Sequence, residues 1–217
     1  MGINERRTRE KENMVKLILT SAEELIIDKG FQNFTLSRLS EKIEFSRGTI
    51  YYYFKNEENI IAKIISEKMC KLLEILNNLP EEKDGFSEIK AIIENFRLFL
   101  QREPNYLSLI TYFTSAKLGG NKSDAVPYYI DYENLRDAIF TKCLSAVEKG
   151  IKDGSILSEY DPFIITYCIW AGIGSFWDYM IKDNVLRPLN GLVSKEPIEF
   201  LNVFFQLIYR SLKPDDV

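Results

Sequence analysis

The chain has 217 residues, a formal net charge of −4 and 46% hydrophobic residues, which suits one compact body, or a small domain and a larger one, with a sizeable core. It contains no histidine, which removes Ser–His and Cys–His nucleophile pairs, histidine-ligated metal sites and the usual general base near neutral pH. No glycine-rich phosphate loop follows a strand-like segment, and Cys70, Cys143 and Cys168 lack zinc-type spacing and read as buried free thiols, so no metal, no cofactor and no enzymatic activity are expected.

The first segment, Met1 to Asn13, is polar and charged rather than leader-like, so a cytoplasmic location is expected. Residues 1–55 carry ten Lys and Arg against eight Asp and Glu, and the remainder carries 18 against 24. A slightly basic head on an acidic body fits local contact with nucleic acid at one end. Almost every segment has helical periodicity and none alternates like a strand. Met14, Leu17, Ile18, Ala22, Leu25 and Ile26 mark a first helix that Gly30 terminates. Thr35 caps a short second helix with Leu36, Leu39 and Ile43 on one face, and Ser46 caps a third with Ile50 and Phe54 inward. Asn56 caps a long fourth helix bearing Ile60, Ile64 and Leu72. Further helices are expected near 87–102, 105–117, 127–153, 162–182 and 197–212, with Pro162 and Pro197 at helix starts. The stretches Gly119 to Asp124 and Asp183 to Glu196 read as loops.

Residues 35–54, TLSRLSEKIEFSRGTIYYYF, form two short helices joined by a tight turn. Helices this short are held by packing, and each has one narrow apolar face. The other face of the third helix displays Arg47, Thr49, Tyr52 and Tyr53. A helix fits a major groove about 12 Å wide, where an arginine reads guanine by a bidentate contact and hydroxyls fix register on phosphates. Gly48 costs about 1 kcal/mol inside a helix relative to alanine, which a close approach to DNA would explain.

The stretch Ala22 to Ile60 resembles the DNA-binding domain of the tetracycline-repressor (TetR) family. The residues that carry the likeness are Asp28-Lys29-Gly30-Phe31, Thr35 and the run Ser46-Arg47-Gly48-Thr49-Ile50-Tyr51-Tyr52-Tyr53-Phe54-Lys55-Asn56. The resemblance implies that Arg47 and Thr49 face bases and nearby phosphates, that Tyr51 and Tyr53 touch the backbone, and that Tyr52 lies near bases or thymine methyls. It implies phosphate contacts for Thr35 and Ser37, and Gly48 and Lys55 belong to the same DNA-binding set. The chain departs from the pattern at Glu44, where the family has glycine, at Ser40, where it has alanine, and at Glu57, where a lysine would contact phosphate. The Arg6, Arg7, Arg9 and Lys11 arm is read either as partial compensation or as a solvated end. Farther along, Gly150 to Ile156 and Asp161-Pro162 resemble the join between two body helices of the family.

The architecture implied is all-α with about nine helices: a helix-turn-helix domain over 1–56 and an effector-binding and dimerisation domain over 57–217. From Phe163 to Trp177 the run is apolar around its full circumference, as is the last helix, so each needs partners on two sides. At about 15 apolar residues the run is short of a membrane span, which needs about 20. Ala171, Gly174, Phe204, Phe205 and Ile208 are therefore expected in a homodimer interface, with a larger monomeric core as the alternative. Phe96, Tyr112, Phe113, Tyr132, Tyr167 and Trp170 are expected to line a site for a small hydrophobic effector, though aromatic residues at helical spacing also serve as plain core. The function expected is a homodimeric repressor released from a palindromic operator by that effector. A DNA-binding activator or adaptor regulated by a protein partner remains open beside it.

Overall fold

A computed structural model describes residues 2–30, 33–103, 105–117, 127–157, 159–181 and 197–214, and for some of these, including 114–117, 127–129 and 174–181, the backbone only. The two loops expected at Gly119 to Asp124 and Asp183 to Glu196 lie outside the described residues. Among the described residues there are nine α-helices and no strand: α1 (Ile3–Lys29), α2 (Leu36–Ile43), α3 (Arg47–Tyr53), α4 (Glu57–Asn77), α5 (Gly85–Arg102), α6 (Tyr106–Lys117), α7 (Pro127–Asp153), α8 (Pro162–Ile181) and α9 (Pro197–Leu212). No described helix is long and apolar enough to cross a membrane.

Caps explain most boundaries. Gly30 ends α1 at φ 76°, where a left-handed residue is cheapest as glycine. The Asn56 carboxamide oxygen accepts the Asn59 N–H at 3.0 Å at the head of α4. Asp161 accepts the N–H groups of Phe163 and Ile164 at 2.8 and 3.2 Å at the head of α8, with Pro162 in the first helical position. The polar N-terminal segment is helical as well. Residues 4–13 are exposed, and the segment is held locally by a Gly2 N–H bond to Glu5 at 2.9 Å and an Arg6–Glu10 pair at 2.8 Å.

The chain divides into two compact units, Met1–Lys68 with Tyr112–Glu133, and Met69–Thr111 with Asn134–Val217. In the first, Ile18, Ala22 and Ile26 of α1 are buried together with Leu36, Leu39 and Ile43 of α2, Ile50 of α3 and Ile60, Ile61 and Ile64 of α4. Charge pairs brace these helices: Lys42 of α2 reaches Glu24 at 3.1 Å, and the buried Lys68 of α4 reaches Glu23 at 2.7 Å.

In the second unit α5 meets α7 so closely that a methyl group on Gly85 would overlap the Gly150 backbone. The same joint is tied by Asp153, whose carboxylate accepts the N–H groups of Gly85 at 2.8 Å and Ser155 at 3.0 Å, and by Lys149, which reaches Glu88 at 2.9 Å. Bonds from the Ser155 hydroxyl first, and then from the Gly85 amide, hold the Asp153 carboxyl below its usual range. On α8, Gly172 leaves room for the Phe204 ring of α9, which a Cβ would meet at 2.7 Å.

The cysteines are free, but the expectation that all three are buried needs correction. Cys70 and Cys168 are exposed, on outward faces of α4 and α8, because an apolar neighbourhood in sequence does not fix which face a residue takes. Cys143 is the inward one, and burial pushes its thiol up to about 12, far from a reactive thiolate at neutral pH.

Candidate nucleic-acid interface

Two helices of eight and seven residues build the site. The Thr35 hydroxyl oxygen accepts the Arg38 N–H at 3.3 Å and starts α2, which leaves the hydroxyl proton free to donate outward. Ser46 does the same for α3, accepting the Thr49 N–H at 3.1 Å, and its Oγ lies 3.0 Å from the Thr49 hydroxyl. Between the helices Glu44 takes φ 57° and ψ 32°, the left-handed conformation that its replacement of a glycine implied, and it is the single non-glycine with positive φ among the described residues. Ser40 costs less than its departure from alanine suggested, because its hydroxyl donates to the Ser37 carbonyl at 2.7 Å.

Ile50 and Phe54 anchor α3 inward. What remains outward is the set read from the sequence: Arg47, Gly48, Tyr51 and Tyr52 are exposed, Thr49 and Tyr53 half-buried, and Lys55 exposed just beyond the helix. Tyr52 keeps 77% of its surface and Tyr51 55%, so both rings and hydroxyls are open to an outside partner. Tyr52 meets the Tyr53 ring edge-on at 5.0 Å. Arg47 Nη1 donates to Ser37 Oγ at 3.3 Å, so these two residues of different helices come together. A Cβ at Gly48 would meet just the Ser46 hydroxyl, at 3.6 Å, so no internal packing demands glycine there.

The sequence reading missed two residues. Arg38 stands exposed on α2 with its guanidinium on the Asn33 carbonyl at 2.9 Å. Glu57, read from sequence as a lost phosphate contact, accepts the Leu36 N–H at 3.1 Å and so ties the start of α4 to the start of α2. The partners are 21 positions apart, and no local pattern signals such a bond.

Residues 18–64 match the family model described as "Bacterial regulatory proteins, tetR family". The chain carries the DNA-binding domain of the tetR family. It is thus a DNA-binding transcriptional regulator, and α2 and α3 are its helix-turn-helix. It is 25% identical over 160 residues to the fatty acid metabolism regulator protein of Bacillus subtilis, spanning 72% of this chain and 77% of that one. In fold it resembles the transcriptional regulator FadR of Bacillus subtilis solved in complex with stearoyl-CoA, at a TM-score of 0.66 and 18% identity over 91% of this chain and 98% of that one. It also resembles FadR of Thermus thermophilus, a TetR-family repressor solved with lauroyl-CoA, at a TM-score of 0.55 and 14% identity over 94% and 97%.

The residues assigned to an effector fall in both units. Phe113 and Tyr132 are buried in the first, with rings 5.4 Å apart, and Tyr112 is half-buried there. In the second, Phe96 packs edge-on to Tyr106 at 6.3 Å and Trp170 to Phe140 at 5.9 Å. Tyr167 is 56% exposed and stacks on the exposed Phe163 at 6.2 Å, so its ring lies on the outside of the unit. A cavity of about 260 Å³ in the second unit is lined by Glu94, Arg97, Asn202, Phe205 and Gln206, a largely polar set that shares no residue with the expected effector lining.

Of the residues assigned to a dimer interface, Ala171, Phe204 and Ile208 are half-buried. Phe205 is 1% exposed and packs inside its own unit. Gly174 lies in the part of α8 where only the backbone is described. Among the described residues, the large apolar side chains that stand exposed on these two helices are Phe163, Ile164, Tyr167, Val203 and Leu207.

Proposed function

We propose that the chain is a homodimeric repressor that holds a pseudo-palindromic operator and releases it when a hydrophobic, acyl-bearing effector binds. The DNA half of this reading is carried by one observation: α3 buries Ile50 and offers Arg47, Gly48, Thr49, Tyr51 and Tyr52 outward from a capped, packed helix-turn-helix. Arg47 reads a base, and Thr35, Ser37, Tyr51, Tyr53 and Lys55 fix register on phosphates. Acting on DNA places the protein in the cytoplasm.

The dimer half rests on the exposed apolar face of α8 and α9. A second copy supplies the same face across a two-fold axis. Val203, Leu207, Ile164 and Tyr167 contribute most of the newly buried area, with Ala171, Gly174, Phe204 and Ile208 beside them. Phe205, already covered, supports the face from behind.

The acyl class of effector is supported by the two FadR regulators of similar fold that were solved with stearoyl-CoA and lauroyl-CoA. We retain Tyr112, Phe113 and Tyr132, which belong to one unit, as lining residues. Tyr167 passes to the dimer face. The helix that transmits the signal is α4, which runs unbroken from Glu57 in the first unit to Asn77 in the second, a length of about 30 Å at 1.5 Å per residue. The effector must prefer the state that does not bind DNA, since equal affinity shifts nothing. A tenfold loss of operator affinity needs about 1.4 kcal/mol of such preference.

The test is duplex selection from a random library, followed by titration of lauroyl-CoA and stearoyl-CoA into the complex. Selected sites with two half-sites about 34 Å apart, released by either thioester, support the reading. Thioesters that raise the melting temperature yet leave duplex affinity unaltered transfer support to the adaptor regulated by a protein partner. Light scattering should give twice the 25.3 kDa chain mass, and Leu207→Glu should return the mass to one chain.

A further inference from the structure

Ser37 and Arg47 lie ten positions apart on different helices of the helix-turn-helix, and the geometry points to Ser37 as a positioning residue that aims Arg47 at its base. This rests on α3 being the helix that reads DNA. It alters the part given to Ser37, which the family likeness made an independent phosphate contact.

Arg47 is the first residue of α3, where a side chain projects sideways over the turn rather than along the helix. Its guanidinium is exposed and forms no ion pair with a described residue; its bond is Nη1 to Ser37 Oγ at 3.3 Å. An unrestrained arginine samples many rotamers, and the cost of fixing the one that reaches guanine falls on the correct base pair, because a wrong base leaves the side chain unengaged.

The surroundings single out Ser37 for the restraint. Thr35 Oγ1 is committed to the Arg38 N–H at 3.3 Å, and the Ser40 hydroxyl to the Ser37 carbonyl at 2.7 Å. Arg38, the neighbouring cation, is drawn away to the Asn33 carbonyl at 2.9 Å. The Ser37 hydroxyl is the side-chain acceptor that Arg47 meets, at 3.3 Å. Ser37 is itself half-buried, on the helix whose Leu36 and Leu39 are buried.

The chemistry is compatible with base reading. An arginine has five N–H donors, and one bond to Ser37 leaves a fork free for the O6 and N7 acceptors of guanine. The serine hydroxyl accepts from Arg47 and still has its own proton for a phosphate oxygen. A single hydrogen bond at the edge of solvent biases a rotamer rather than locking it, so the effect on discrimination is about threefold.

The experiment compares full-length wild type with Arg47→Ala, Ser37→Ala, Ser37→Thr and the double variant Ser37→Ala/Arg47→Ala. Each is checked for an unchanged melting curve and then used to select duplexes from a random library. Ser37→Ala should lower preference about threefold at the base pair that Arg47→Ala relaxes, leaving other positions and the salt dependence unchanged. Ser37→Thr should retain the preference, and Ser37→Ala should add nothing in the Arg47→Ala background. If Ser37→Ala weakens all duplexes alike, or keeps its full effect without Arg47, the positioning role is wrong while DNA reading stands. If wild type selects no sequence at all, the reading of α3 falls, and this inference with it.

Discussion

Replacing Glu44 with glycine isolates the strain stored in the turn between α2 and α3. Glu44 sits at φ 57° and ψ 32°, where the Cβ of an L-residue crowds the following carbonyl at a cost of about 1–2 kcal/mol. Glycine removes that cost but adds about 0.5–1 kcal/mol of chain entropy to be lost on folding. The side chain is exposed and has no described hydrogen bond or ion pair, so deleting it loses little contact. The net expectation for Glu44→Gly is about 0.5–1 kcal/mol of added stability, or roughly 1–4 °C in melting temperature for a chain of this size. The decisive control is Glu44→Ala, which removes the same charge but keeps the Cβ and should stay within about 0.5 kcal/mol of wild type. Glu44→Asn should fall between them, because asparagine tolerates the left-handed region. The assay is urea and thermal unfolding followed by circular dichroism at one protein concentration. If alanine stabilises as much as glycine, charge and not backbone strain sets the effect, and the argument fails.

Other substitutions test separate parts of the structure. Gly48→Ala should stabilise α3 by up to about 1 kcal/mol, since its Cβ meets just Ser46 Oγ at 3.6 Å, while weakening duplex binding; unchanged binding in a mobility-shift assay would show that nothing approaches this position closely. Glu57→Gln keeps an acceptor for the Leu36 N–H, now at 3.1 Å from Glu57, but removes a negative charge from the DNA side, so affinity for all duplexes should rise with a steeper salt dependence. A slope identical to wild type would place the carboxylate away from the phosphates. Asp153→Asn addresses pH: the Asp153 carboxyl is held below its usual range by the Ser155 hydroxyl and the Gly85 amide, so its stabilising contribution is present above the ordinary carboxylate pKa of about 3.9 and is lost as pH falls through the depressed folded value. The variant should therefore melt with a shallower loss of stability between neutral pH and pH 3, and an unaltered acid limb would remove Asp153 from the account.

Where a signal is local, the sequence carried it. Gly30, Thr35, Ser46, Asn56 and Asp161 each act within four residues, and each sits where its cap was expected. The outward side of α3 was legible for the same reason: a seven-residue helix has only two turns, so burying Ile50 and Phe54 leaves Arg47 and Tyr51 nowhere to go but outward. Legibility stops where the deciding partner is distant in the chain. The start of α5 at Gly85 was placed two residues late, because its glycine looks like a loop until the Gly150 backbone is found against it. Glu57 looked like a missing cation until Leu36 stood beside it. The last two helices show the limit most clearly. With apolar residues all round, periodicity establishes a helix and says nothing about which side faces inward. The packing of α8 on α9 decides it, taking Phe205 into the unit while leaving Leu207, two residues on, 57% exposed. Residues two apart on a helix point to different sides, so an exposed Val203 and Leu207 follow directly once Phe205 is inside. These exposed apolar side chains are the ones the proposed dimer would cover, and the mass measured by light scattering decides whether a second copy covers them.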